Sequence, residues 1–159
     1  MRQLEALAQP LAGFDQVVRE PRLLAFAGVE QPNVKLFLEQ AEAYKAMLAA
    51  APPSEAQQKD LDFLLAGGEI FALVVYAQLI LENAKILGVE GALLDQIFDF
   101  MVRDFSRLAL NLYSKPSSSP AQMERCLGML RKPVTDEARY AAVWNDHVHA
   151  LRGAYEMSP

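Results

Sequence analysis

An apolar run without any charged side chain lies between Glu69 and Glu82. The run is about 12 residues long and contains Gln78, whereas a transmembrane helix needs about 20 consecutive apolar residues. The sequence therefore predicts a buried helix and no transmembrane segment. Because the run is apolar on every side of a helix, we expect other helices to cover it on all sides, as the central helix of a bundle.

Two adjacent glycines, Gly67 and Gly68, stand just before this run. Ser54 is a favourable N-cap residue, so a helical segment could extend from Ser54 to Leu87. An unbroken helix of that length would span about 50 Å, which is too long for a compact domain of this size. Since each glycine costs a helix interior about 1 kcal/mol, we predict that the helix bends or breaks at these two glycines.

The rest of the chain repeats the helical period and shows no long alternation of apolar and polar residues. Proline and glycine separate the helical segments, and Ser119 followed by Pro120 has the residue types of a helix start. We therefore predict an all-α fold, an antiparallel bundle of about five or six helices. The 159 residues would form a single domain, with lead-in helices in residues 1–53 and the bundle core in residues 54–159.

The charge and the reactive residue types restrict the function classes. The formal net charge is −5, and no concentrated basic stretch suggests a nucleic-acid partner. Cys126 is the one cysteine, which excludes an internal disulfide and fits a reducing compartment, so we expect a cytoplasmic location and a buried thiol. The Glu-x-x-His pairs of a di-metal bundle are lacking, and His147 and His149 point away from each other on a helix. The sequence predicts neither a metal site nor a catalytic residue.

Four side chains are candidates for a binding site. Tyr76 and Gln78 lie within the apolar run, where burial would require hydrogen-bond partners for their polar atoms. Trp144 and His147 lie on the apolar stripe of the last helical segment. One hypothesis is that the four residues line a small-ligand pocket within the bundle. The alternative is that they are buried polar groups with structural partners.

Five segments, taken in chain order, carry a family resemblance. They are VVYAQLILENAKI (74–86), DQIFDFMVRDFSRLAL (95–110), KPSSSPAQM (115–123), MLRKP (129–133) and RYAAVWNDHVHALRGAYEMSP (139–159). Together they resemble the C-terminal helical extension of certain bacterial acyl-CoA dehydrogenases. The resemblance covers about residues 65–159.

The resemblance implies a flavoprotein family that uses FAD to oxidise an acyl-CoA, with a carboxylate base that removes the α-proton. The text nearest to the base motif is Tyr155-Glu156-Met157-Ser158, which lacks the glycine after the glutamate, so the base role is not assigned to Glu156. The resemblance thus implies a domain without its own FAD, which packs against the catalytic core of its parent or a second subunit. The apolar content of 52% motivates an alternative, a free-standing helical module that binds a partner or forms a homo-oligomer.

Overall fold

The structure, a computed structural model, describes residues 23–154, so the predictions about residues 1–22 and about Glu156 lie outside it. The described residues form five α-helices, which are α1 Pro32–Ala50, α2 Leu61–Leu87, α3 Gly91–Tyr113, α4 Pro120–Gly128 and α5 Glu137–Val143. A π-helical turn, Trp144–Val148, and the 3-10 turns Leu23–Phe26, Gln57–Lys59 and His149–Leu151 accompany them. No strand occurs between residues 23 and 154, and the predicted all-α class is confirmed.

Helices α1 and α3 run in the same direction. The backbone N–H of Asn33 donates to the Asp95 carboxylate at 2.8 Å, and the Gln40 amide donates to the Val102 carbonyl at 3.2 Å. The residues of both pairs are 62 positions apart, so the two helices advance together along the bundle. Helix α3 also contacts α2, α4 and α5. It is therefore α3, and not the apolar α2, that the other helices surround.

Helix α2 runs antiparallel to α3. At the start of α2, Asp62 forms an ion pair at 2.8 Å with Lys115, which follows the end of α3. Later in α2, Glu69 accepts a hydrogen bond at 3.3 Å from Asn111, which lies earlier in α3. The start of α4 contacts the end of α1, so the direction reverses again at α4. Helices α1 to α4 thus form an up-down-up-down bundle with short connections.

Four phenylalanines from three elements form the centre of the core, and they are Phe26, Phe37, Phe98 and Phe105. Phe37 of α1 packs edge-on against Phe98 and Phe105 of α3, with ring centroids 5.5 and 5.4 Å apart. The ring quadrupole favours this geometry. The predicted division of the domain at residue 53 is therefore wrong, because α1 belongs to the core and is not a lead-in.

Helix α2 is continuous through Gly67 and Gly68, so the helix does not break there. Its N-cap is Asp60, whose carboxylate accepts hydrogen bonds from two backbone N–H groups of the first turn. The helix therefore has 27 residues and is about 40 Å long. Residues 54–59 form a separate turn, and the helix that follows is therefore short enough for the bundle without a break.

Two matching Ser-x-Ala-Gln segments join the start of this turn to the start of α4. The segments are Ser54–Gln57 and Ser119–Gln122. In each one the serine hydroxyl accepts a hydrogen bond from the backbone N–H of the glutamine at 3.3 Å. The glutamine side chain in turn accepts one from the backbone N–H of the serine at 2.9 Å, which makes a capping box. The two buried glutamine amides also bond to each other, at 2.8 and 3.2 Å. They therefore lock the α1–α2 connection to the α3–α4 connection.

The chain between α4 and α5 has little regular structure, and two side chains hold its backbone. The Ser106 hydroxyl oxygen accepts from the N–H of Arg131 at 3.0 Å and lies 2.9 Å from the carbonyl oxygen of the same residue. Asn33 accepts from the N–H of Val134 at 2.8 Å and donates to its carbonyl at 3.0 Å. These side chains satisfy backbone groups that lack helical partners, and they guide the chain toward α5.

Candidate interaction surface on the second helix

The structure places Tyr76 and Gln78 toward solvent and not in a shared pocket. Tyr76 is 60% exposed. Gln78 is half-buried, and its amide donates to the carboxylate of Glu82, one helical turn later, at 3.0 Å. The prediction that Tyr76 is a buried polar or pocket-lining group is wrong, because the described helices cover α2 on one side only.

Trp144 and His147 lie in the π-helical turn that follows α5. Trp144 is 41% exposed, and its ring packs against those of Tyr140 and His149 with centroids 6.3 and 5.6 Å apart. His147 is half-buried, with its Nε2 atom 4.0 Å from a carboxylate oxygen of Glu90. Because Tyr76 and Trp144 are both exposed, the four predicted residues do not enclose a pocket inside the bundle.

The outer face of α2 carries a row of residues, apolar except for Glu82, that sequence reasoning missed. Its members are Leu61, Leu65, Gly68, Ala72, Val75, Leu79, Glu82 and Ile86, and we call this set the α2 seam. Their steps alternate between four and three residues, which is the spacing of a coiled-coil contact line. Leu61 at one end is 69% exposed and Ile86 at the other is 80% exposed. The seam is therefore a long apolar surface open to solvent.

The opposite face of α2 packs on the bundle. Its buried residues are Phe63, Ala66, Ile70, Val74, Ala77, Leu81 and Ala84. They follow helical spacing about half a turn away from the seam, so α2 has two apolar faces. The prediction of a helix covered on all sides is wrong for residues 23–154, because only one of the two faces packs against other described helices.

Within residues 23–154, α2 is also the one helix long and apolar enough to cross a bilayer by length and composition. Only 28% of its apolar window is buried. A single helix of this kind is weak evidence for a membrane span.

A buried ionic cluster joins α5 to α3. The Arg139 guanidinium forms an ion pair with Asp95 and lies 3.7 Å from the carboxylate of Asp99. Asp99 also pairs with Arg103 at 2.5 Å, and Asp95 accepts the backbone N–H of Asn33 at 2.8 Å. Each buried charge in the cluster thus has an opposite charge beside it. The cluster attaches α5 to the bundle and presents no unpaired charge to a ligand.

Cys126 lies in the core beside α1, with its sulfur 3.9 Å from that of Met47. Burial raises the pKa of the Cys126 thiol to about 11, so the reactive thiolate is scarce at neutral pH. A narrow apolar cleft of about 50 Å³ lies nearby, between Tyr44, Phe63 and Gly67. An apolar cavity of about 150 Å³ is known to admit benzene, so this cleft is too small for an organic ligand of that size.

Among the described residues, no group of three or more His, Cys, Asp or Glu side chains is arranged to hold a metal ion. Comparisons of the chain with protein-family models, with curated proteins and with solved structures found no match. The α2 seam is an exposed apolar surface within residues 23–154. Its signal was present in the sequence as heptad spacing between Leu61 and Ile86, but the apolar residues of the inner face hid it.

Proposed function

We propose that the chain is a non-catalytic helical interaction domain whose α2 seam packs against another protein surface. The observation that carries this proposal is the exposure of Leu61, Leu65, Leu79 and Ile86 along one face of α2. A monomeric protein rarely exposes a long contiguous apolar surface, and such surfaces mark sites of interaction. Burying each of these side chains against a partner would contribute about 1–3 kcal/mol, before the costs of association.

The shape of the seam favours an α-helix as the contacting element. Gly68 and Ala72 form a low region in its middle, between the larger side chains of Leu65 and Leu79. Small residues at this position allow a second helix to approach to the close end of the usual 8–10 Å interaxial range. An apolar helix lying along another helix is a common recognition mode, read through anchors at three- and four-residue steps.

We further propose that the parent of this domain is an acyl-CoA-dehydrogenase-like flavoprotein. What supports this is the resemblance of residues 65–159 to the C-terminal helical extension found in that family. In such a parent the FAD and the carboxylate base would belong to the catalytic core, and this domain would supply packing or oligomer contacts in the cytoplasm. The alternative is a free-standing helical module with the same seam.

The interaction role is tested with two leucines of similar exposure. Leu79 belongs to the seam, whereas Leu127 lies on α4 outside it. We expect Leu79→Glu to abolish binding of a hydrophobic dye and self- or partner association, while Leu127→Glu leaves both unchanged. Both variants should unfold at nearly the same denaturant concentration as the parent chain, because surface substitutions usually change stability by less than about 0.5 kcal/mol. Equal effects of the two variants would contradict a specific role for the seam.

The family proposal is tested by absorbance and activity. We expect the purified chain to show no flavin absorbance and no oxidation of an acyl-CoA with an artificial electron acceptor. Stoichiometric, tightly bound FAD would contradict the assignment as an accessory domain. Coding sequence for a flavoprotein core that continues in frame into Met1 would support it.

A further inference from the structure

We infer that the α2 seam pairs with the seam of a second copy of this chain, with the two helices antiparallel. This inference rests on the proposed interaction role of the seam and names its partner. It follows from the way sizes and charges are distributed along α2.

The seam is self-complementary in size about a point between Ala72 and Val75. In an antiparallel pair centred there, Gly68 lies opposite Leu79 of the second copy, and Ala72 lies opposite Val75. Each small residue then receives a larger one, and the twofold axis repeats both contacts. This is the pattern of an isologous interface, in which one surface patch complements itself.

A parallel pair in register lacks this match. It would place Gly68 against Gly68 and leave a gap at that level, while Leu79 would meet Leu79. Unfilled space between apolar side chains forfeits their contacts and weakens an interface. The alternation of small and large residues along the seam therefore favours the antiparallel arrangement.

The residues that flank the seam are complementary as well. On one flank of the antiparallel pair, Glu69 lies opposite Tyr76 of the second copy, and Asp62 lies opposite Asn83. A phenol and an amide both donate hydrogen bonds to a carboxylate, so no like charges meet on this flank. Glu82 lies near the end of the seam, where its exposed carboxylate can reach water.

The expected pair is weak because the contact is narrow. A helix about 40 Å long and about 10 Å wide presents roughly 400 Å² to its partner. The two copies together would bury about 800 Å², below the roughly 1,200–2,000 Å² of stable complexes. We therefore expect a dissociation constant of about micromolar order or weaker, with rapid exchange.

The first test measures the mass of the full chain by light scattering and by sedimentation. With rising concentration, we expect the mass to increase from 17.6 kDa toward twice that value. Leu79→Glu should abolish the increase, and Leu127→Glu should retain it. A wild-type chain that stays monomeric to the solubility limit, or equal behaviour of the two variants, overturns the inference.

The second test determines orientation by mixing two single-cysteine variants in a Cys126→Ala background. One carries Gly68→Cys, a position where an added Cβ meets no atom within 4 Å, and the other carries Leu79→Cys. Under mild oxidation, we expect the mixture to yield a disulfide between the two variants in excess of either self-pair. An excess of self-paired Leu79→Cys indicates a parallel pair and overturns the proposed orientation.

A hydrophobic dye and phosphatidylcholine vesicles separate the remaining outcomes. A monomer that binds the dye at the seam, with loss in Leu79→Glu, overturns pairing between copies but leaves the proposed interaction surface standing. A monomer that binds no dye contradicts both, because something within the chain then covers the seam. Vesicle binding that depends on Leu79, without pairing, also overturns the inference.

Discussion

Replacement of Arg139 by methionine is the sharpest test of how the bundle holds its last helix. Arg139 is 10% exposed, and the two carboxylates beside it, Asp95 and Asp99, are 4% and 3% exposed. The substitution retains most of the apolar stem and removes the charge. It therefore leaves two buried acidic groups of α3 with one positive partner fewer.

The expected loss in the free energy of unfolding follows from the contacts that Asp95 and Asp99 keep in the variant. Removal of one partner from a buried ion pair costs about 3–5 kcal/mol, because the other charge is left uncompensated. Here the backbone N–H of Asn33 still donates to Asp95, and Arg103 still pairs with Asp99. We therefore expect a loss of about 2–3 kcal/mol in the free energy of unfolding. For a chain of this size, the melting temperature would fall by about 5–10 °C.

The assay is urea denaturation followed by circular dichroism, at one low protein concentration so that association does not contribute. Arg107→Met is the matched control, because Arg107 pairs with Asp104 at 3.4 Å on the surface, where a pair contributes less than about 1 kcal/mol. Adding Asp95→Asn to Arg139→Met should recover part of the loss, since it removes one uncompensated charge. If Arg139→Met costs no more than Arg107→Met, the ionic cluster does not stabilise the fold as argued.

Three further predictions concern the turns, the glycines and the thiol. Gln57→Ala and Gln122→Ala should each lower the free energy of unfolding by about 1–3 kcal/mol, because each leaves buried groups unpaired. The double variant should lose clearly less than their sum, and additive losses in denaturant unfolding would contradict the reciprocal amide pair. Gly68→Ala should stabilise the monomer by about 0.5–1 kcal/mol, because its Cβ meets open space, whereas Gly67→Ala should gain less, because its Cβ would lie 3.4 Å from a tyrosine hydroxyl. Thermal melting of the two variants checks this order, and the reverse order would refute it. Burial raises the pKa of Cys126 from an ordinary 9.0 to about 11, so native protein at pH 8 should be alkylated about 100-fold or more slowly than unfolded protein. As pH rises, the thiol of the unfolded chain loses its proton before that of the native chain. The contribution of Cys126 to the free energy of unfolding is therefore fully present below about pH 9 and is lost as pH rises toward 11. A native alkylation rate close to the unfolded rate would show that the thiol is accessible.

Local sequence signals predicted where helices occur better than they predicted which other parts of the chain each helix contacts. Ser119 and Pro120 predicted the start of α4, and the structure has both a capping box and a proline in the first turn there. The sequence predicts the N-cap of α2 at Ser54, whereas Asp60 caps the helix and Ser54 caps the preceding turn. Both residues have the right chemistry for a cap. The side chain of Gln57, one turn after Ser54, also bonds to Gln122 of α4, and this contact is not visible in the local sequence.

The part of the ionic cluster that joins α5 to α3 had no local signal, although Asp99 and Arg103 stand four residues apart on α3. Arg139 and Asp95 are separated by 44 residues, and neither belongs to a recognisable motif. The predicted pocket residues failed for a related reason. The apolar neighbours of Tyr76 and Trp144 in sequence predict burial, but they do not show which side of a helix contacts the rest of the bundle.

Sequence alone determined that the charge-free run between Glu69 and Glu82 is helical, because helix formation depends on contacts between residues three and four apart. It also determined the all-α class, through helical spacing and proline and glycine at the breaks. Only the tertiary structure decided that Ile70 is buried and Leu79 is exposed, although both are aliphatic residues of one helix. The physical reason is that hydrophobic burial is non-directional, so either face of α2 could have turned inward. The face with the fitting partners on α3 did so, and the seam remained outside.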